Sequence, residues 1–567
     1  MDTVLDCVLH YIHDANDRNS FSLVSHMCYD IDAKTRKHVT AHLCYATPLR
    51  FRRRFPFIES VTLAGNPHIV DLTSSACNWD HNLTPWVQEI ATSFKGLKMV
   101  RLQNLVVHDS DLELLARTLA ERLMGLEIDS CSGFSTDGLL YIGKYCNHLK
   151  ILSLENSSIS EKDGEWLHEL ALHNSSIESL DFYKAGLTKF DVKDLARVAK
   201  NCSQSLVSVK ISEHYEFIDL VDFFSYAIKL EDFGGGRFGD NSPINHFGNN
   251  PFYHVGIDLN HIGIGMNQFV NNALGMNPIL PFSAQQVKYK DFKFPLNLKY
   301  LALNHRGQKD IVLPFAHLIT QLDTQFVYDR NHHHQHSLIE NCPNLEVLYT
   351  EFISDEGLEH LSQCCKNLRK LYVTNRMGQN RRGPNRRELL TEKGLFALAL
   401  GCRELECLHI NLSCITFEAM VHIGINLKNL SDLSMVLGKE GVNMKDPVDN
   451  GVRTLLIGCN KLERLSICFK TLGGLSDIGL SYIGKFGCNL RYLSLSYAGE
   501  SDAGLVELSF GCPKLKNLVI NDCPFSKEAF DIFRCNVPSL RYFQVQGMPR
   551  HWRYRLEEDQ RYFKQIV

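Results

Sequence analysis

Four histidines crowded together, His332, His333, His334 and His336, are the densest set of potential metal ligands in the chain. Imidazoles hold zinc and related ions when they converge. Three consecutive side chains cannot meet at one ion without a dedicated loop and supporting hydrogen bonds, so this spacing reads as a polar stretch ahead of another structural unit. Gly234-Gly235-Gly236 has the composition of a phosphate-cradling loop, but no Gly-Lys-Ser/Thr follows it, and it reads as a connection. Between Asn375 and Arg387 lie Arg376, Arg381, Arg382, Arg386 and Arg387 without an apolar anchor. Such a stretch is a solvated loop or a contact for an anion or an acidic partner. No nucleophile with its base, zinc-binding helix or P-loop occurs at adequate spacing. The reactive residue types therefore point to binding rather than catalysis.

What positions these residues is a phrase that the chain repeats. Ser135-Thr136-Asp137-Gly138-Leu139, followed by Cys146, Leu149, Leu152 and Leu154, returns as Ser354-Asp355-Glu356-Gly357-Leu358 with Cys365, Leu368, Leu371 and Val373. It returns from Ser476 through Cys488 to Leu495, and again from Ser501 through Cys512 to Ile520. Successive cysteines such as Cys342 and Cys365, or Cys512 and Cys535, are roughly 23–24 residues apart, within the leucine-rich-repeat range. In one unit, Leu493 and Leu495 alternate as in a short strand with one buried face. Ser501 and Asp502 can cap the helix that follows, Leu505 and Leu508 share one face of it, and Cys512 closes it with a small apolar side chain. Strand, corner, helix and corner, repeated over about 490 residues, give on the order of eighteen to twenty units. The fold class is α/β: a leucine-rich-repeat solenoid, or horseshoe, expected as one continuous domain over 46–547 with an extended binding surface.

The 567 residues carry a net charge of −4, which gives no general attraction to nucleic acid. Nineteen cysteines fall at repeat corners and in apolar runs, a pattern that favours reduced thiols in the nucleus and/or cytoplasm over a disulfide-bonded extracellular repeat protein. Asp2, Asp6, His10, Asp14 and Asp17 interrupt the first apolar residues, which is not the pattern of a signal peptide. No apolar run approaches the roughly 20 residues of a membrane span. A soluble intracellular protein without a membrane or nucleic-acid partner is expected.

Three segments depart from the repeat. Residues 1–45 look helical: Val4, Leu5, Val8, Leu9 and Ile12 form one apolar stripe, and Phe21, Leu23, Val24, Met27 and Ile31 a second. Such a module either caps the first repeat or docks a partner. Residues 237–292, rich in Asn, Gly, Phe and Pro, read as an irregular loop, and residues 548–567 as a C-terminal tail.

More specific strings run in order along the chain. They include Asp14 to Arg18 leading to Ser22-Leu23-Val24, Thr35-Arg36-Lys37-His38-Val39-Thr40, Arg53-Arg54-Phe55-Pro56, Thr84-Pro85-Trp86-Val87, Ser160 to Leu170, Asp449-Asn450-Gly451-Val452-Arg453 and Gly499 to Leu505. In this order they resemble the plant coronatine-insensitive proteins, F-box jasmonate co-receptors related to the auxin receptor F-box proteins. The resemblance extends from near residue 2 to about Gly547, apart from the segment around 237–292.

The resemblance implies that residues 1–45 are an F-box docking a Skp-type adaptor, with Val4, Leu5, Val8, Leu23 and Val24 as adaptor-docking residues, joined through it to a cullin scaffold. The chain would be a non-catalytic substrate-recognition subunit of an SCF ubiquitin ligase, recruiting JAZ-type repressors for degradation in jasmonic acid signalling and plant defence. The solenoid would hold jasmonoyl-isoleucine against pocket walls including Leu72, Phe469 and Tyr492, with an inositol phosphate near His38. Several family positions differ. The hormone-binding arginines fall on His68, Glu351 and Ser434, tyrosine-wall positions on Asn411 and near Cys468 or Phe469, and basic floor positions on Thr62, Ala64, Gln103 and Asn104. Val24-Ser25-His26-Met27-Cys28 replaces an F-box segment holding basic residues and a Trp. An alternative is therefore a diverged repeat scaffold that no longer binds jasmonate and recognises another ligand or partner.

Overall fold

The computed structural model describes residues 9, 11–12, 15–43, 46–65, 83–183, 185–211, 217–235, 292–302, 312–324, 338–373, 390–412, 415–437 and 447–546. The chain divides into two compact units, Met1–Leu298 and Lys299–Val567. Each is built from the strand–helix unit of the sequence repeat, because each repeat buries its apolar face against its neighbours.

In the first unit the strands His38–His42, Ser60–Ala64, Met99–Gln103, Gly125–Asp129, Ile151–Ser153, Ser179–Asp181, Ser208–Lys210 and Asp232–Gly234 pair successively in parallel. Val61, Val100, Leu126, Leu152, Leu180, Val209 and Phe233 stand opposite one another in register, all buried. The second unit runs from Tyr300–Ala302 through Gln321–Thr324, Val347–Thr350, Lys370–Val373, Cys407–Leu412, Asp432–Leu437, Arg464–Phe469, Tyr492–Ser496 and Asn517–Asn521 to Tyr542–Gln546. Its equivalent row is leucine from Leu301 to Leu518, and each such buried side chain stabilises by about 1.5–3 kcal/mol. Alternate strand positions carry the mostly polar side chains of an open face.

Neighbouring repeats are also latched by a hydrogen-bonded pair that recurs through both units. The first-turn Asp449 of one helix accepts from the backbone N–H of Ser476 at 3.0 Å and from its hydroxyl at 2.5 Å; Ser476 is the N-cap of the next helix. Asp109 takes Ser135 in this way, Asp355 takes Thr391, Asp477 takes Ser501 and Asp502 takes Ser526. Ser135, Thr391, Ser476 and Ser526 also accept from their own helix's first-turn N–H groups, so one hydroxyl both caps its helix and binds the preceding repeat. Ser501 departs from the expected cap: its hydroxyl makes no cap bond to its own helix and donates only to Asp477.

Cys146, Cys342, Cys365, Cys402 and Cys512 close their repeats as buried thiols directed at backbone carbonyls of a preceding turn. Desolvation pushes the Cys146, Cys342, Cys402 and Cys512 thiols up to about 12, so they are inert packing groups. Cys488 and Cys535 do not share this role. Both are exposed, and the buried Gly487 and Val537 occupy the helix-closing positions instead.

Two boundaries shift. The solenoid begins inside the segment assigned to the helical module, because His38–His42 pairs with Ser60–Ala64 as a repeat strand. The irregular stretch ends before Phe292, whose ring packs edge-on against Phe224 and Phe294 in the core of the first unit. Of the glycine run, Gly235 is structural: its φ is +87°, and a Cβ there would lie 2.1 Å from the Ile211 carbonyl oxygen. The histidine cluster 332–336, the arginine-rich stretch, residues 237–291 and the tail 548–567 lie outside the described residues.

Candidate functional site

The N-terminal module packs two helices, Ala15–Ser22 and His26–Thr35, against the start of the solenoid. Its centre is Asp32, fully buried and surrounded by three guanidinium groups: Arg18 at 3.2 Å, Arg36 at 3.0 Å and Arg54 at 3.0 Å. A buried carboxylate is tolerated only when paired and hydrogen-bonded, and here both oxygens are engaged. Arg54 comes from the helix Pro48–Arg54, donates also to the Tyr29 carbonyl and Ser22 hydroxyl at 2.7 Å, and stacks over the Tyr29 ring. Burial draws its pKa below the usual arginine value, with Tyr29 and Asp32 opposing. Sequence reading missed this hub, although Arg18, Arg36 and Arg54 all stood within the quoted strings.

With its centre fastened, the module presents apolar side chains outward. Leu23 and Val24 form the turn between its helices and are 85% and 74% exposed. Tyr11, Met27 and Tyr29 are exposed as well. Cys28 is buried, so it belongs to the module's interior rather than to this surface. Val4, Leu5 and Val8 lie outside the described residues.

On the open face of the first unit, His38 is exposed at the start of its strand. Thr62 stands beside Arg101, which is committed to Glu127 at 2.6 Å, and Lys210 to Asp181 at 3.1 Å. Ala64 and Gln103 are uncharged neighbours in the same register. Asn104 follows in a left-handed turn at φ +53°, a conformation Asn tolerates, so its backbone accounts for its presence. A polyphosphate requires uncommitted cationic donors. The described residues of this face do not fit an inositol phosphate. His68 and Leu72 lie outside the described residues.

The open face of the second unit carries a continuous row of side-chain contacts. Tyr349 stacks on Tyr372 with centroids 4.6 Å apart, and Tyr372 meets the His409 ring edge-on at 4.8 Å. His409 Nε2 lies 3.1 Å from Asp432 Oδ1, Arg464 Nε lies 3.3 Å from Asp432 Oδ2, and the Arg464 guanidinium covers the Tyr492 ring at 4.3 Å. Burial opposes protonation of His409, but its bonds to Asp432 and Cys407 outweigh that and raise its pKa to about 9. Ser434 lies between His409 and Ser466 and offers one hydroxyl. Asn411 pairs with Val436 and Cys468 with Ser496 farther along the same strands.

Tyr492 is thus on the open face, but Phe469 is not: it is fully buried, and its half-buried neighbour Cys468 takes the open side. Strand alternation sends Leu465, Ile467 and Phe469 to the core, so Phe469 is removed from the pocket wall. Glu351 is buried at the end of Val347–Thr350 and supplies no positive charge.

A profile of the F-box family matches residues 1–38. The chain is 42% identical over 558 residues to Coronatine-insensitive protein 1 of Arabidopsis thaliana, covering 96% of this chain and 86% of that protein. It is 36% identical over 554 residues to Coronatine-insensitive protein homolog 2 of Oryza sativa subsp. indica, with coverage of 96% and 86%. Among solved structures, the yeast Rad7 and Elc1 complex gives a TM-score of 0.40 at 14% identity, covering 75% of this chain and 81% of that one; a likeness this distant adds nothing to the argument.

Proposed function

This chain belongs to the coronatine-insensitive protein family, and from that premise we propose how its surfaces divide the work. It is an F-box leucine-rich-repeat protein, the substrate-recognition subunit of an SCF-type ubiquitin ligase. The N-terminal module holds a Skp-type adaptor, and through it a cullin scaffold, with Leu23 and Val24 at the contact. The repeats select the protein to be degraded, and the ubiquitin chemistry belongs to other subunits. The observation that carries this reading is identity along nearly the whole chain together with the F-box at residues 1–38.

The client is a JAZ-type repressor in jasmonic acid signalling and defence, and the protein works in the nucleus or cytoplasm. Inert, desolvated thiols at the repeat corners support a reducing compartment. The hormone is held without the three arginines, since Glu351 and Ser434 supply no guanidinium. Each lost charged hydrogen bond costs about 1.5–3 kcal/mol, so hormone affinity falls well below that of a receptor with all three.

The test is capture of the full chain, co-expressed with a Skp-type adaptor, on a JAZ degron peptide with and without jasmonoyl-isoleucine. Adaptor co-purification with hormone-dependent capture supports the whole reading. Adaptor binding without a hormone response leaves a ligase receptor of changed specificity, and failure of both overturns the proposal.

A further inference from the structure

Cys407, His409 and Asp432 meet on the open face of the second unit, and their ligand atoms all lie within 4.8 Å of one another. Two of them come from one strand at alternate positions, and Asp432 stands directly opposite Cys407 on the next. We infer that these three side chains form a binding site for a thiophilic divalent cation of the zinc class. This goes beyond the receptor role and does not depend on adaptor, hormone or client.

Cys407 differs from the corner cysteines. It is only 5% exposed, yet its partners are the side chains of Tyr372 and His409 rather than a backbone carbonyl of a preceding turn. Thiolate, imidazole and carboxylate are the ligand types of zinc sites with three protein ligands and one open position. The soft sulfur and nitrogen select against magnesium and calcium. Tetrahedral bonds of about 2.0–2.3 Å require ligand atoms about 3.2–3.8 Å apart. The His409–Asp432 separation of 3.1 Å is already close to that, and the Cys407 sulfur lies within 4.8 Å of both.

The surroundings are also suited to such a site. Asp432 presents Oδ1 toward His409 while Arg464 holds Oδ2 at 3.3 Å, the kind of outer hydrogen bond that orients a ligating carboxylate. Tyr492 in turn steadies the Arg464 guanidinium. Tyr372 packs edge-on against the His409 ring and fixes its plane. One thiolate and one carboxylate offset the charge of a divalent ion, and the Arg464 guanidinium remains as the neighbouring cation.

The full chain, freed of metal with a chelator, is titrated with Co²⁺ as a visible probe and then with Zn²⁺. The expected result is one equivalent bound, with a tetrahedral visible band and a thiolate-to-cobalt charge-transfer band, both removed by Zn²⁺. Cys407→Ser abolishes the charge-transfer band, whereas the exposed-cysteine control Cys488→Ser retains it. Arg464→Gln keeps the band but weakens binding roughly 10–100-fold. X-ray absorption on the zinc-loaded wild-type chain, which needs no variant, shows one sulfur and otherwise nitrogen or oxygen ligands. Absence of binding, a band that survives Cys407→Ser, or a shell with no sulfur or several sulfurs overturns the inference. If Cys407→Ser does not fold, the absorption measurement and Asp432→Asn decide it.

Discussion

Arg54 donates to Asp32 at 3.0 Å from 22 residues away, tying the first helix of the solenoid to the buried centre of the F-box module. Module and solenoid therefore stand or fall together at this point. Removing one partner of a buried, hydrogen-bonded charge cluster costs about 3–5 kcal/mol. Asp32→Ala strands three guanidinium groups, and Arg54→Ala also removes the ring contact with Tyr29. Both variants are expected to lower the first thermal unfolding transition of the full chain and to lose the adaptor. A melt unchanged by Asp32→Ala would remove the hub from the account.

The exposed turn separates docking from folding. Leu23→Asp and Val24→Asp change side chains that the module does not bury, so stability should move by no more than about 0.5 kcal/mol. Co-purified adaptor should fall at least tenfold, which corresponds to about 1.4 kcal/mol. Retention of the adaptor at wild-type levels would place the contact elsewhere.

Asp477 gives a pH signature. Burial favours its neutral form, but the Ser501 hydroxyl and the N–H groups of Glu500 and Ser501 outweigh this and hold its pKa below the usual carboxylate value. A carboxylate depressed in the folded state contributes stability that is fully present above the unfolded pKa of about 3.9 and is lost as pH falls through the lower folded value. Asp477→Asn should therefore destabilise by about 1–2 kcal/mol at neutral pH, with the gap to wild type closing only in strong acid. Denaturant titrations at neutral and acid pH report it, and a gap independent of pH would refute the latch as charged.

Gly235→Ala tests a backbone requirement. The φ of +87° and the 2.1 Å approach to the Ile211 carbonyl leave no room for a Cβ. The substitution should cost about 1–3 kcal/mol, visible as a lowered melting temperature. Gly186→Ala, with positive φ but open space around it, should cost less.

Much of the fold was legible because the repeat encodes parity. Leu493 and Leu495 declared a buried face, and the structure places both in the core. The same counting applied to Leu465 and Ile467 puts Phe469 inside, so the misplaced pocket wall was readable in the sequence. The Asp–Ser latches were half legible: Ser501-Asp502 read as a local cap, but each carboxylate finds its serine one repeat onward. The row from Tyr349 to Tyr492 was hidden for another reason. An arginine-rich insertion separates Tyr372 from His409 in sequence and breaks the period, so side chains in direct contact did not align. Asp32 was hidden because Arg18 and Arg54 reach it from separate stretches of chain, and only Arg36, four residues on, is a local partner.

The latches also determine how this array can change in length. Deleting residues 477–501 joins Ser476 directly to Asp502. Asp449 then still faces Ser476, and Asp502 still faces Ser526. A whole unit can be excised or duplicated at such a joint without any new side chain being required. Deletions that are not a whole number of units leave a carboxylate without its hydroxyl. The couplings between repeats are interchangeable, which lets evolution extend or shorten the recognition surface in whole modules.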